Sequence, residues 1–304
     1  MNIPHTSPPH WPEELSPGRF ASLIRRDSAE GCRAAILGLA DDEGVALNGG
    51  RIGARDGPRA FRTALARYGT ANPHGFTWPR VFDAGDIIPG NSLDETHARV
   101  TQAVKAILDA GMLPIAIGGG HDLTFAFVRA LAVRSPGLAG VYLDAHLDVR
   151  EEPGSGMAFR RLVEDCGVSS LHIHGFDPLV NTREHVEWFL AHGGVIHADL
   201  DSIATPPHFP PRHASQGCFV SVDLDVMDMA VAPGVSAPAP AGWPAWRVDL
   251  WALAAGREQA VRCFDIMELN PSHDFDNRTA RLAARLFLSF LRGLAERDHL
   301  GKMP

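Results

Sequence analysis

Apolar residues recur along this chain in short continuous runs, each closed by glycine or acidic residues. Arg33–Leu39, Val81–Ile87, Met112–Ile117, Leu138–Leu143, Ser170–Ile173, Gly217–Val222 and Val261–Met267 all have this form, and Val195–Ile196 is a shorter version. Runs of that length without polar alternation fit strands buried on both faces. Between them the period changes to that of a helix. Pro58 suits the first turn of a helix running to about Tyr68, because its missing N–H is not needed there. Ser92-Leu93-Asp94-Glu95 forms a capping-box pattern, and Val100, Val104, Ile107 and Leu108 carry an apolar face on to Gly111. Helices also read over Thr182–Ala191 and over Asn277–Arg292, where Leu282, Leu286, Phe287 and Phe290 share a side. Strands alternating with helices predict an α/β fold of three layers, α/β/α, around a mainly parallel sheet. Residues 1–32 are rich in Pro and charge and read as an N-terminal arm with one short helix about Phe20–Asp27. Residues 33–304 read as a single domain without internal repeat or linker, and the Pro-rich segments Thr205–Arg212 and Ala237–Pro244 as ordered loops.

Composition narrows the class. With 304 residues, 45% apolar and 21% charged, the chain is an ordinary globular one, which excludes disordered, collagen-like and coiled-coil classes. No apolar run approaches the roughly 18 residues needed to span a bilayer. Met1–Phe20 has neither a basic start nor an apolar core, so no signal peptide is expected and the location expected is cytoplasmic. A net charge of −8 argues against nucleic acid or an anionic membrane as partner. Cys32, Cys166, Cys218 and Cys263 are scattered, with no CxxC pair, and read as reduced thiols. The unusual count is 15 histidines against 2 tyrosines.

Several of the apolar runs end in acidic or histidine-bearing motifs. Met112–Ile117 leads into GGGHD, Leu138–Leu143 into DAHLD, Gly217–Val222 into DLD and Val261–Met267 into ELNP. Ligands of open α/β sheets bind beyond the carboxyl ends of the strands, so these segments can serve one crevice. Asp144, His146 and Asp148 stand at i, i+2 and i+4, on one face of an extended chain, as do Asp223 and Asp225. So many ionisable groups on one face repel and lose solvation unless a cation lies between them. With His121, they form an oxygen and nitrogen ligand set without thiolate. That favours two Mn²⁺ ions, with Co²⁺, Zn²⁺ or Fe²⁺ also compatible, over a structural zinc site. A bridged ion pair lowers the pKa of a shared water into the neutral range, so the chemistry implied is hydroxide attack on an electrophilic carbon.

GGGHD, DAHLDVR, SVDLDVMDMAVAPGVSAPAP and DIMELNP, in that order, resemble the ureohydrolase family of arginases, agmatinases and formimidoylglutamases. NGGRIGARDGPRAFR resembles the family's N-terminal loop and helix, and the resemblance runs from about Arg33 to Leu291. It implies that Asp144 and Asp223 bridge two ions, that His121 and Asp148 complete one shell, and that His146 and Asp225 complete the other. It also implies that Glu268 receives the cationic group of the substrate, that Asp148 moves a proton to the leaving amine, and that the protein is a homo-oligomer. GGGH and the segment GSGMAFRR are most like formimidoylglutamase. Three departures stand out: Asp122 where glutamate is usual, Phe159 where arginases carry a proton-shuttling histidine, and Met229 where proline is common. The activity implied is hydrolysis of N-formimidoyl-L-glutamate to L-glutamate and formamide, in histidine degradation. The alternatives are hydrolysis of a guanidino compound with release of urea, and a non-catalytic metal-binding relative. A dianionic substrate needs cationic donors, for which Arg150 and Arg160 are the leading candidates, with Arg161 next and Asn181 as a neutral donor. His172 and His174 stand either at the pocket or in the core. His5, His10, His208 and His213 lie in Pro-rich segments and are expected to be exposed.

Overall fold

The structure, a computed structural model, describes residues 1–72, 75–168, 170–197 and 217–300, together with Pro207 and Phe209. Among these, nine strands form one sheet: β1 (Thr6–Ser7), β2 (Ala34–Gly38), β3 (Val81–Ile87), β4 (Leu113–Ile117), β5 (Ala139–Leu143), β6 (Ser170–His174), β7 (Gly194–Ile196), β8 (Cys218–Asp223) and β9 (Val261–Met267). Their spatial order is β1-β3-β2-β4-β9-β8-β5-β6-β7. All pairs are parallel except β1 with β3, which is antiparallel. The helices are α1 (Glu43–Leu47), α2 (Gly57–Leu65), α3 (Leu93–Asp109), α4 (Leu123–Ala132), α5 (Ala158–Cys166), α6 (Arg183–Ala191), α7 (Ala245–Arg257) and α8 (Arg278–Leu300).

Alternate residues of β2 enter different cores. Ala34 and Ile36 pack with α2, α7 and α8, whereas Ala35 and Leu37 pack with α3, α4 and α5. That division is what a sheet covered on both faces requires, and it accounts for the unbroken apolar runs. The three-layer α/β/α fold is therefore the observed one.

Local expectations hold with shifts. Ser92 caps α3, its Oγ accepting from Glu95 N–H at 3.3 Å, but Glu95 reaches back to Asn91 N–H, not to the cap residue. The short helix expected about Phe20–Asp27 is a single 3-10 turn, Phe20–Leu23. Ala237–Pro244 is a loop, as expected. Most of Thr205–Arg212, with His208 and His213, lies outside the described residues. Residues before β2 supply Ile3, Trp11, Phe20 and Ile24 to the buried core. Among the described residues no helix is long and apolar enough to cross a membrane.

β4 and β5 follow one another in the chain but stand apart in the sheet, with β9 and β8 between them. The order of winding reverses there, and a crevice opens beyond the strand ends. The four motifs leave four consecutive neighbours, β4, β9, β8 and β5.

Candidate metal centre

Two backbone features bring the strand ends together. Gly118 N–H donates to Ile266 O at 2.8 Å, and Glu268 N–H donates to Gly119 O at 2.9 Å. Gly119 has φ +77, and a Cβ there would stand 2.2 Å from Leu39 O, so only glycine fits. The chain can then turn sharply enough to aim His121 back over the sheet.

The six expected ligands converge. Nδ1 of His121 lies 3.1 Å from an Asp144 oxygen, 2.9 Å from an Asp148 oxygen and 3.1 Å from an Asp223 oxygen. Nδ1 of His146 lies 3.1 Å from Asp225 and 3.4 Å from Asp144. Two overlapping clusters result, His121–Asp144–Asp148–Asp223 and Asp144–His146–Asp225, each with one ligand atom per residue within 4.8 Å of the others. The arrangement fits divalent cations better than hydrogen bonds. One ring nitrogen carries at most one proton, yet three carboxylates face His121 Nδ1. That nitrogen, Asp144 Oδ2 and Asp225 Oδ1 are buried without a hydrogen-bond partner.

Ser221 and Asp265, opposite one another on β8 and β9, set the tautomer. Nε2 of His121 lies 3.0 Å from Ser221 Oγ, and Ser221 donates to Asp265 Oδ1 at 2.5 Å. With the Nε2 proton so engaged, Nδ1 presents its lone pair to the carboxylates and to any cation among them. Sequence reasoning missed both residues. Ser221 had a signal, standing two residues before Asp223 and so on the same strand face; Asp265 had none.

So many buried acids in one place favour added positive charge, whether from a cation or a proton. Burial, then the Asp225 and Asp144 charges, push Asp223 well above the carboxylate range. Asp144 is raised by burial and by Asp148 and Asp225. Burial alone would lower His146, but the Asp225 and Asp144 carboxylates hold it at about 12. Glu268, raised by burial to about 8, accepts from His121 N–H at 2.8 Å and from the Ser236 hydroxyl. Asp148 and Glu268 both have left-handed backbone, φ 48 and φ 64.

A cleft of about 170 Å³ opens over the cluster. Its floor carries His121, His146, Asp148, Asp223, Asp225 and Glu268. Arg150, Asn181, Thr182, His185, Asn48 and Ser155 line the remainder. Arg150 has no ion pair among the described residues. Arg160 is not brought to the cleft: it lies 3.0 Å from Glu164 and 3.7 Å from Glu151 and stacks on Trp188. Arg161 pairs with Asp165 at 2.7 Å. Both arginines sit on α5 with acids one turn on, which claim them locally. Asn181 lines the cleft, but its amide is engaged with backbone. Phe159 is buried, stacked on Tyr142 at 3.7 Å and edge-on to His121 at 5.2 Å, an apolar wall beside the cluster. His172 and His174 do not line the cleft; His174 stacks on His197 at 4.0 Å and lies tilted against Trp251 at 4.3 Å. Exposed His5 bonds Gln102.

A doubly wound sheet carrying paired His/Asp clusters at its reversal point defines an α/β protein built to hold divalent cations. This chain belongs to the arginase family, whose sequence model matches residues 32–292. It is 36% identical over 278 residues to a formimidoylglutamase of Rhodococcus jostii (strain RHA1), covering 86% of this chain and 85% of that one. Among solved structures it is similar to Trypanosoma cruzi formiminoglutamase with Mn²⁺₂, at TM-score 0.82 and 30% identity over 93% of this chain and 100% of that one. Proclavaminate amidino hydrolase from Streptomyces clavuligerus is similar at TM-score 0.80 and 25% identity, covering 94% and 99%.

Proposed function

We propose that the chain hydrolyses N-formimidoyl-L-glutamate to L-glutamate and formamide, with two Mn²⁺ ions held by His121, Asp144, His146, Asp148, Asp223 and Asp225. Such an ion pair supplies an acidified water as nucleophile and polarises the amidine carbon. The protein's own groups do the rest. Glu268, fixed by His121 N–H and Ser236 O–H, receives the amidinium. Asp148 relays the protons of the attacking water to the leaving nitrogen, so that the C–N bond breaks to formamide and the ammonium form of glutamate. Buried Phe159 and Tyr142 keep bulk water from the His121 side of the cluster.

One observation carries the choice of substrate. Every acid lining the cleft is a ligand of the cluster or Glu268, while Arg150 stands without an ion-pair partner. A substrate with a cationic tail would find no counter-charge away from the floor. A carboxylate tail finds a guanidinium, which binds it with two parallel hydrogen bonds.

The four cysteines are free, which supports a reducing, cytoplasmic location. We place the activity in histidine degradation, in a homo-oligomer whose catalytic unit is residues 33–304, with residues 1–32 as an arm packed on it. The test is a product assay with purified, Mn²⁺-loaded protein. Formamide and glutamate from formimidoylglutamate are expected. Urea from arginine, agmatine or a guanidino acid, with no formamide, would overturn the substrate assignment.

A further inference from the structure

We propose that Asn181 is a positioning residue of the metal centre. Its amide fixes the backbone on both sides of His146 and so sets the affinity of the His146–Asp144–Asp225 cluster for its cation. The inference rests on the two-metal reading above but not on the identity of the substrate.

Asn181 reads from sequence as a donor to substrate, and it does line the cleft. Its hydrogen bonds lead elsewhere. Oδ1 accepts from Leu147 N–H at 2.9 Å, and Nδ2 donates to Ala145 O and Asp177 O, both at 2.8 Å. A carboxamide has two N–H donors, and both are taken, so none remains for a substrate carboxylate. Two of the three bonds fall on the residues immediately before and after His146.

That segment is an irregular turn, in which Asp144 N–H reaches His174 O at 3.0 Å, His146 N–H reaches Asp144 Oδ1 at 2.6 Å and Phe159 N–H reaches Asp148 O at 3.1 Å. β5 ends at Leu143, and no helix begins until Ala158 apart from a 3-10 turn at Ser155–Met157. Asp177 N–H reaches Ala145 O at 3.0 Å and Tyr142 O–H reaches Leu147 O at 3.1 Å. The turn after β6 thus braces the turn after β5, with Asn181 as the side chain that spans them.

The two histidine ligands differ in a way that makes this brace matter. His121 is buried, and its Nε2 is fixed by Ser221. His146 has the most exposed side chain of the six, at 27%, and its Nε2 makes no hydrogen bond among the described residues. A ligand imidazole is ordinarily oriented by a bond on its second nitrogen. Here orientation comes through the backbone, and Asn181 holds that backbone.

The test compares the full-length protein with Asn181→Ala and with the isosteric Asn181→Asp, which keeps the acceptor for Leu147 N–H and loses both donors. Each is stripped of metal, checked for fold by circular dichroism, and titrated with Mn²⁺. Calorimetry counts the ions, and electron paramagnetic resonance reports the spin-coupled pair. Wild type is expected to take two ions per chain. The variants should hold one ion normally and bind the second about tenfold to a hundredfold more weakly, the range for loss of an outer-shell partner. Their coupled spectrum should appear only at excess Mn²⁺. At saturating Mn²⁺ their KM for formimidoylglutamate should be unchanged. If the Ala variant does not fold, the Asp variant alone gives the reading. Variants that bind the second ion as wild type does would overturn the proposal. So would a raised KM at saturating Mn²⁺ with normal metal binding, which would return Asn181 to the role of substrate donor. A wild-type chain that takes up fewer than two ions would overturn both this inference and the two-metal reading.

Discussion

Arg150 and Arg160 were equal candidates in the sequence, and at the scale of single residues their surroundings separate them. Arg150 faces the cleft without an ion pair, whereas Arg160 is held by Glu164 and Glu151 and covered by Trp188. Arg150→Ala is expected to raise KM for formimidoylglutamate about tenfold to a hundredfold, the ~1.5–3 kcal/mol of a hydrogen bond to a charged group. Arg160→Ala should leave KM within about twofold, since Arg160 does not line the cleft and its fork is held by Glu164. Steady-state kinetics on both variants check this, and a larger effect at Arg160 would reverse the assignment. The ligand candidates were legible because each follows an apolar run and shares a strand face with another. The pairing of Arg160 was hidden because Glu164, one turn along α5, matters only once a helix is recognised there. The bonds of Asn181 were hidden for a different reason: two of its three backbone partners lie on another strand's loop, and spacing carries no trace of them.

At the scale of elements, strands were easier to see than helices. A central parallel strand is buried on both faces, so its sequence is a bare apolar run. α4 defeats the same reasoning from the helical side. Nearly all of Leu123–Ala132 is buried, so it has no polar face and no readable period. β1 has two residues and an edge position, too little for any pattern. The junction of α2 and β3 shows what sequence could not: Arg62, fully buried, donates to Asp83 at 2.8 and 2.9 Å and to Asp86 at 2.7 Å, and Trp11 Nε1–H donates to Asp83 at 2.9 Å. Arg62→Met would leave two acids facing one another without their cation. It should cost about 3–5 kcal/mol, the usual penalty for breaking a buried pair. Urea unfolding midpoints measure it, and a loss below about 1 kcal/mol would show that the acids relax into solvent.

For the whole molecule, the metal centre links stability to pH. Glu268 moves from 4.5 to about 8 on folding without metal, and His146 from 6.5 to about 12. In both, the fold keeps a proton that the unfolded chain has released. The stabilisation is complete below the unfolded value and is lost as pH rises through the folded one. Metal-stripped protein should therefore melt at steadily lower temperature between about pH 6 and about pH 9. Saturating Mn²⁺ should raise Tm and flatten the slope, because bound cations replace the protons. Calorimetry with and without chelator decides it, and a stripped Tm that rises over this window would contradict the account.

Asp148 and Glu268 hold left-handed backbone angles that glycine adopts more readily than either. Each such angle costs about 1–3 kcal/mol, and the surrounding fold sustains it. Glycine at either position would relieve that cost and, at Glu268, remove a buried acid as well. Selection for heat resistance alone would thus be drawn to the two positions where the proposed chemistry is most exposed to loss. A library sorted by melting temperature should enrich variants that outlast the parent and turn over nothing.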